Sequence, residues 1–385
     1  MRRRAGNGLL ILLATATVTL VAPLPVAAEG VPQSEDSKRF TFSGDARYRL
    51  EDTLNRGKLK NRRRQRLRMR FNATYRIVDH LSIGGRVTTG DPDDPNSAHE
   101  DIDDFVDDFP FNVDRLYLSW RLRPDLQVTG GKFAHPFATN PVFGELLWDQ
   151  DVQPDGVAVR YAPSGAGGRW SAALAAGAYV GLEQGSFDEV RAAVGQASGE
   201  VALSRTTALR GAAGLYEYSN LAPDSADGVL RDNSGNATRD TNGDGRPDGF
   251  ASDFRLLDLI LHLRWTAAGR PLWVGGQYIR NLEAAGDERE GWALGASYGR
   301  LEEVHDWRLQ YQYQRIEQDA VFSPFAQDDF VFQTNYKGHL FGLTYLAIKS
   351  VDVRGWALVT EPVRLRDDVP DKHQWRLRLD ATLHF

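Results

Sequence analysis

The sequence predicts an all-β chain: a closed antiparallel transmembrane β-barrel of sixteen strands, preceded by a cleavable export signal. Three observations predict it. Polar and apolar side chains alternate over segment after segment, the connections between segments alternate short and long, and the apolar face continues to Phe385, the last residue.

The first element is the export signal. Arg2, Arg3 and Arg4 form a basic head, an apolar run follows from Leu9 to Ala22, and Pro23 to Ala28 ends in small residues, with Val26 and Ala28 at the −3 and −1 positions of a cleavage site. A spanning helix needs roughly 20 apolar residues, and this run is shorter and meets Pro23 and Pro25. Residues 1–28 therefore read as a signal peptide and 29–385 as one barrel domain. Beyond the signal, charges interrupt every apolar run before it reaches helix-spanning length. The chain has no cysteine, which excludes thiolate metal sites, cysteine catalysis and disulfide support. Stability must come from packing or from closure of a sheet.

Period-two alternation carries the barrel. Arg62, Arg64, Arg66, Arg68, Arg70, Asn72, Thr74 and Arg76 fall on one face of a strand, opposite a face that includes Leu67, Met69, Phe71, Tyr75 and Ile77. Near the start, Asp45, Arg47 and Arg49 alternate with Gly44, Ala46, Tyr48 and Leu50. At the end, Arg376, Arg378 and Asp380 alternate with Trp375, Leu377, Leu379 and Ala381. The same reading along the chain gives sixteen segments: 40–50, 62–77, 81–89, 112–122, 126–133, 156–162, 170–180, 187–196, 203–218, 254–265, 272–282, 290–301, 306–318, 337–347, 351–361 and 373–385. The fourth, eighth and tenth are the least regular.

Short connections fall at 78–80, 123–125, 163–169, 266–271, 302–305 and 349–350, and longer ones at 51–61, 90–111, 134–155, 219–253, 319–336 and 362–372. Tight turns at one end and long loops at the other are the rhythm of an outer-membrane barrel, and closure removes the exposed sheet edges. Tyr48, Tyr75, Trp120, Trp170, Trp265, Trp307 and Trp375 are placed near strand ends, where interfacial aromatics belong.

On these residues the chain resembles the Gram-negative putative porin family. The resemblance runs through RRRQRLRMRFNATY (62–75), RVTTGDPDDPNS (86–97), NVDRLYLSW (112–120), GGKFAHPF (130–137), LLWDQDVQPDGVAVRY (146–161) and the closing WRLRLDATLHF (375–385). It implies passive diffusion of small hydrophilic solutes through a water-filled barrel in the outer membrane. It also implies lipid and lipopolysaccharide as surroundings, recognition of the Phe385 segment by the barrel-assembly machinery, and assembly as a homotrimer.

Arginines facing lipid would each cost several kcal/mol near the midplane, so that face is expected to line the lumen. The predicted pore-lining set is Arg47, Arg49, Arg62, Arg64, Arg66, Arg68, Arg70, Arg76, Arg86, Arg115, Arg121, Arg376 and Arg378. Such a wall favours anions. The alternative is that acids such as Asp45, Asp114 and Asp380 pair with it and leave no selectivity; Asp114 has the wrong parity to face the same way. The acidic stretch 91–108 either folds inward opposite the arginines, binds divalent cations among lipopolysaccharide phosphates, or is simply solvated. Loop 134–155, with Asp149, Asp151 and Asp155, is an equal candidate for narrowing the pore.

Asp240, Asn242, Asp244, Arg246 (through its carbonyl) and Asp248 have the spacing of the first part of a calcium loop, but Ala251 stands where a bidentate carboxylate belongs. A calcium ion in this outer loop and a polar loop needing no ion both remain open; no other cofactor is expected. None of the eight histidines stands in a metal spacing, and His135 is the most suggestive of a rim site. An outer-membrane hydrolase, a structural or non-selective barrel and a nucleic-acid binder are the weaker readings, the last because the basic run is strand-periodic in an exported chain.

Overall fold

The computed structural model describes residues 39–55, 60–92, 94, 96–102, 109–182, 190–221, 233–365 and 373–385. The signal peptide expected at 1–28 lies outside them. Sixteen long antiparallel strands close into one barrel. The first six are β1 (Phe40–Leu54), β2 (Arg62–Val78), β3 (Leu81–Thr89), β4 (Phe111–Arg123), β5 (Leu126–Lys132) and β6 (Asp155–Tyr161). The next five are β7 (Trp170–Leu182), β8 (Val190–Ala202), β9 (Thr207–Ser219), β10 (Phe254–Ala267) and β11 (Arg270–Asn281). The last five are β12 (Glu290–Gly299), β13 (Trp307–Ile316), β14 (Tyr336–Ile348), β15 (Val351–Pro362) and β16 (Gln374–His384).

Each strand pairs with its neighbours in sequence, and β1 pairs with β16, which removes both edges. The seam is completed by the last residue: Gly44 N–H donates to the Phe385 carbonyl (2.8 Å) and Phe385 N–H donates to that of Gly44 (3.1 Å). A Cβ at Gly44 would run into the Phe385 ring and the Arg70 carbonyl, so the close approach requires glycine. Phe385 also lies against Phe71, ring centroids 5.7 Å apart.

Outward positions carry exposed apolar residues on nearly every strand, among them Phe42, Leu118, Leu174, Leu261, Leu294 and Phe341, as a lipid-facing wall requires. Trp120, Trp170 and Trp375 lie near strand ends as expected, whereas Tyr48 sits in the middle of β1. The eighth and ninth strands differ from the sequence reading: β8 continues to Ala202 and the turn falls at 203–206. Gly195, Ala197 and Gly199, small residues at alternate positions, erase the polar–apolar contrast over that stretch.

The lumen is not uniformly polar. Loops 133–154 and 317–335 fold into it and pack one large apolar cluster against one side of the inner wall. Phe137, Leu146, Trp148, Phe322 and Phe325 of the loops meet Tyr179, Val194, Tyr216, Leu256 and Ile279 of β7–β11. Trp148 lies 5.9 Å from Tyr179 and Phe137 5.7 Å from Tyr216, ring to ring, both edge-on. The loop is pinned at its far side by Gln196, which accepts from Ala138 N–H (2.7 Å) and donates to Ala138 O (3.0 Å).

Candidate functional site

The polar side of the lumen is built from the arginine-bearing strands. Arg47 stands opposite Arg68, Arg49 opposite Arg66 and Glu51 opposite Arg64 across β1 and β2. The closing seam adds Thr382, Asp380 and Arg378 at the same three levels. Directly opposed residues share a face, so these side chains all enter the lumen.

Carboxylates are interleaved with them. Arg49 makes a bidentate pair with Asp380 (2.7 and 3.0 Å), both buried. Arg378 donates to Glu51 (2.6 Å), which also takes Arg64, and Arg68 pairs with Asp45 (2.6 Å). Arg66 and Arg62 converge on Asp101, at 2.8 and 2.6 Å. Arg86 binds Asp114 through Nε at 2.9 Å. A bulge opposite Arg86/Val87 turns Asp114 inward beside Arg115, which corrects the expectation from its parity. Arg115 itself donates to Gln153 (2.8 Å).

Arg76 and Arg121 are exposed at the short-turn mouth, and Arg62 is exposed at the long-loop end. The remaining predicted arginines line the middle of the barrel. Carboxylates therefore neutralise much of the wall, as the second sequence reading held.

Both inward loops bring acids to face it. Asp151 pairs with Arg70, Asp329 pairs with Arg378, and the Asp328 and Asp329 carbonyls accept from Arg376 (2.7 and 2.8 Å). Burial, then the Asp329 carboxylate hydrogen-bonded to it, pushes the Glu145 carboxyl up to about 8. Burial and Glu145 raise Asp149 well above the carboxylate range. Burial opposes ionisation of Asp329 too, but Arg378 and Arg49 outweigh it and hold that group ionised. Glu145 and Asp329 thus share one proton. Asp155 points elsewhere and pairs with Lys132 (2.7 Å) at the end of the loop. Of the acidic stretch 91–108, Asp101 reaches the arginines; Asp93, Asp103, Asp104, Asp107 and Asp108 lie outside the described residues.

Between wall and loops lies a polar cavity of about 430 Å³. It is lined by Arg47, Arg49, Arg66, Arg68 and Arg70 on one side and by Glu145, Asp149 and Asp329 on the other, and Arg308 and Arg354 join it from β13 and β15. The sequence reading missed these last two, with Glu145, Asp328 and Asp329. The signal for the arginines was present: Arg308 alternates with apolar residues in step with Gln310, Gln312 and Gln314, and Arg354 with Asp352 and Trp356.

The 240–248 loop forms a compact turn. Asp240 accepts from Gly243 N–H (2.7 Å) and Gly245 N–H (2.8 Å), and Asp244 from Arg246 N–H (2.8 Å). Asp248 accepts from Thr241 N–H (2.9 Å), and the Asn242 side-chain oxygen from Asp244 N–H (2.9 Å). Among the described residues no group of three or more His, Asp or Glu side chains is arranged to hold a metal. His135 is half-buried beside Phe137 and Trp148, ring centroids 5.7 and 5.6 Å away, which is a packing role.

Known proteins place this architecture. The family model described as "Putative porin" matches residues 51–246 and 228–364. No curated protein sequence matches. Among solved structures, the chain is similar to Pseudomonas putida OprB at high pH, at 13% identity over 90% of this chain and 94% of that one, TM-score 0.60. It is similar to a Salmonella typhi OmpF complex with daunomycin at 13% identity, 90% and 97% coverage, TM-score 0.55. It is also similar to the trimer form of OmpT, an outer-membrane protein of Vibrio cholerae, at 12% identity, 90% and 99% coverage, TM-score 0.53. The chain belongs to the "Putative porin" family, a sixteen-stranded barrel of the Gram-negative outer membrane.

Proposed function

We propose that this porin passes small hydrophilic solutes by passive diffusion, without catalysis, and prefers anions. The observation that carries the preference is the cavity's charge: with Arg49, Arg66, Arg68 and Arg70 each matched to a carboxylate, Arg47, Arg308 and Arg354 remain unmatched among the described residues. Opposite them, Glu145 keeps its proton up to about 8, and burial beside Glu145 raises Asp149 in the same direction. Apolar packing closes the other side of the lumen, so solute is directed past these guanidinium groups, where the field is least screened.

The test is the zero-current potential of refolded protein in a planar bilayer under a KCl gradient. Chloride preference is expected; cation preference would refute the reading. Assembly as a homotrimer, contact with lipopolysaccharide and insertion through the Phe385 segment belong to the same proposal. Sedimentation of the detergent-solubilised protein would test the trimer, and a monomer would count against it. Calcium at 240–248 is a separate proposal resting on the oxygen spacing; calorimetric titration showing no binding would remove it.

A further inference from the structure

We infer that the three unmatched arginines form a discrete binding site for a compact oxyanion carrying two or more negative charges. This rests on the anion-preferring reading and adds a saturable step to it. Arg47 comes from β1, Arg308 from β13 and Arg354 from β15, and all three line the same cavity. Arg354 feels the like charges of Arg308 and Arg47, and the nearby carboxylates Asp329 and Asp380 make their ion pairs with Arg378 and Arg49 instead.

What partners these groups have are neutral or leave charge unspent. Arg47 Nε donates to the Thr382 hydroxyl (3.2 Å) and Arg354 donates to the Gln310 side-chain oxygen (3.0 Å). The Arg354 guanidinium lies 3.3 Å over the Trp356 ring, which fixes its plane. Nε of Arg308 and Nε of Arg354 are buried without a hydrogen-bond partner. The carboxylate whose charge reaches Arg308, Asp352, is engaged by His384 (2.6 Å). Three like charges converging in a partly desolvated space repel one another, and an anion placed among them relieves that repulsion. Guanidinium forks match carboxylate and phosphate oxygens in the same bidentate geometry.

The facing wall refines the class. Glu145 keeps its proton and spends that O–H on Asp329, whose charge is in turn paired with Arg378, and burial raises Asp149 in the same direction, so the facing wall puts little unpaired negative charge against the ligand. The cavity has the volume for a small molecule, and its surface is mostly polar, with Trp356 and Phe143 as its aromatic edges. A short dicarboxylate or tricarboxylate, or a phosphate, satisfies these conditions; a neutral sugar would leave the three charges uncompensated.

The experiment measures chloride current through single channels of the refolded full chain while inorganic phosphate, succinate or citrate is added. Saturable block by at least one of them is expected, and which one acts separates phosphate from carboxylate chemistry. R308Q and R354Q should each weaken the block about tenfold, the loss of one charge-assisted contact. R354K keeps the charge and loses the fork, so it should fall between them and wild type if the variant R354Q fails to insert. A chloride-selective channel whose current none of the three anions blocks would overturn the site and leave the anion preference standing. A cation-selective channel would overturn the preference itself.

Discussion

Replacing Glu145 with glutamine tests whether the inward loop carries a shared proton. In the native lumen Glu145 keeps its proton to about 8 instead of the ordinary 4.5, first because it is buried and then because Asp329 is ionised beside it. The unfolded chain releases that proton near 4.5, so between 4.5 and 8 the folded state binds more protons than the unfolded one. Stability therefore falls as pH rises through that interval and is lowest above 8. At about 1.36 kcal/mol per pH unit, the isolated group would contribute a decline of ~4–5 kcal/mol. Sharing the proton with Asp329 reduces this to ~2–4 kcal/mol. E145Q retains an N–H donor toward Asp329 and has nothing to titrate. Tryptophan-fluorescence unfolding in denaturant, at pH 6 and pH 9, should show the native chain losing ~1–3 kcal/mol more than E145Q on alkalinisation, the part of that decline lying above pH 6. The same titration adds a negative charge to the cavity, so chloride preference should fall more steeply above pH 8 in the native channel than in the variant, where Asp149 remains. Identical pH slopes in both proteins would refute the shared proton.

Removing Asp380 alone leaves Arg49 charged and buried at the seam, so D380N should destabilise the barrel by ~3–5 kcal/mol, with R49Q/D380N recovering part of it in a denaturant titration. W148A removes the ring at the centre of the lumen cluster; a loss of ~3–5 kcal/mol and a larger single-channel conductance are expected, and unchanged conductance would show that the loop does not narrow the pore. G44V places a branched side chain against Phe385 and should lower the yield of folded barrel on heat-modifiability gels, with G44V/F385A partly restored.

Alternation made the strands of the arginine side readable because there the two faces meet different solvents, water and lipid. Around β8 and β10 that contrast disappears for a physical reason. Val190, Ala192 and Val194 of β8, and Phe254 and Leu256 of β10, face inward onto the apolar cluster, while outward neighbours such as Leu259 and Leu261 face lipid. Apolar residues dominate both faces there, so period two carries little signal. The fourth strand was irregular for another reason: the bulge beside Asp114 shifts parity by one residue. Strand existence was therefore legible throughout, and strand facing was legible only where the lumen is wet.

The same distinction governs the site. The arginines of β1, β2 and β16 could be assigned to the lumen from the cost of exposing them to lipid, an argument local to each strand. Which of them stay unmatched depends on where two loops far apart in sequence bring their acids. Asp151 and Asp329 settle on Arg70 and Arg378 because Trp148, Phe322 and their aromatic neighbours anchor both loops against the opposite wall. The apolar half of the lumen and the charge balance of the polar half are thus one device: packing on one side decides which guanidinium groups on the other are left to meet a solute. An aromatic residue of the cluster, itself uncharged, should then alter ion preference when truncated, and W148A measured for reversal potential as well as conductance is the variant in which that coupling either appears or fails.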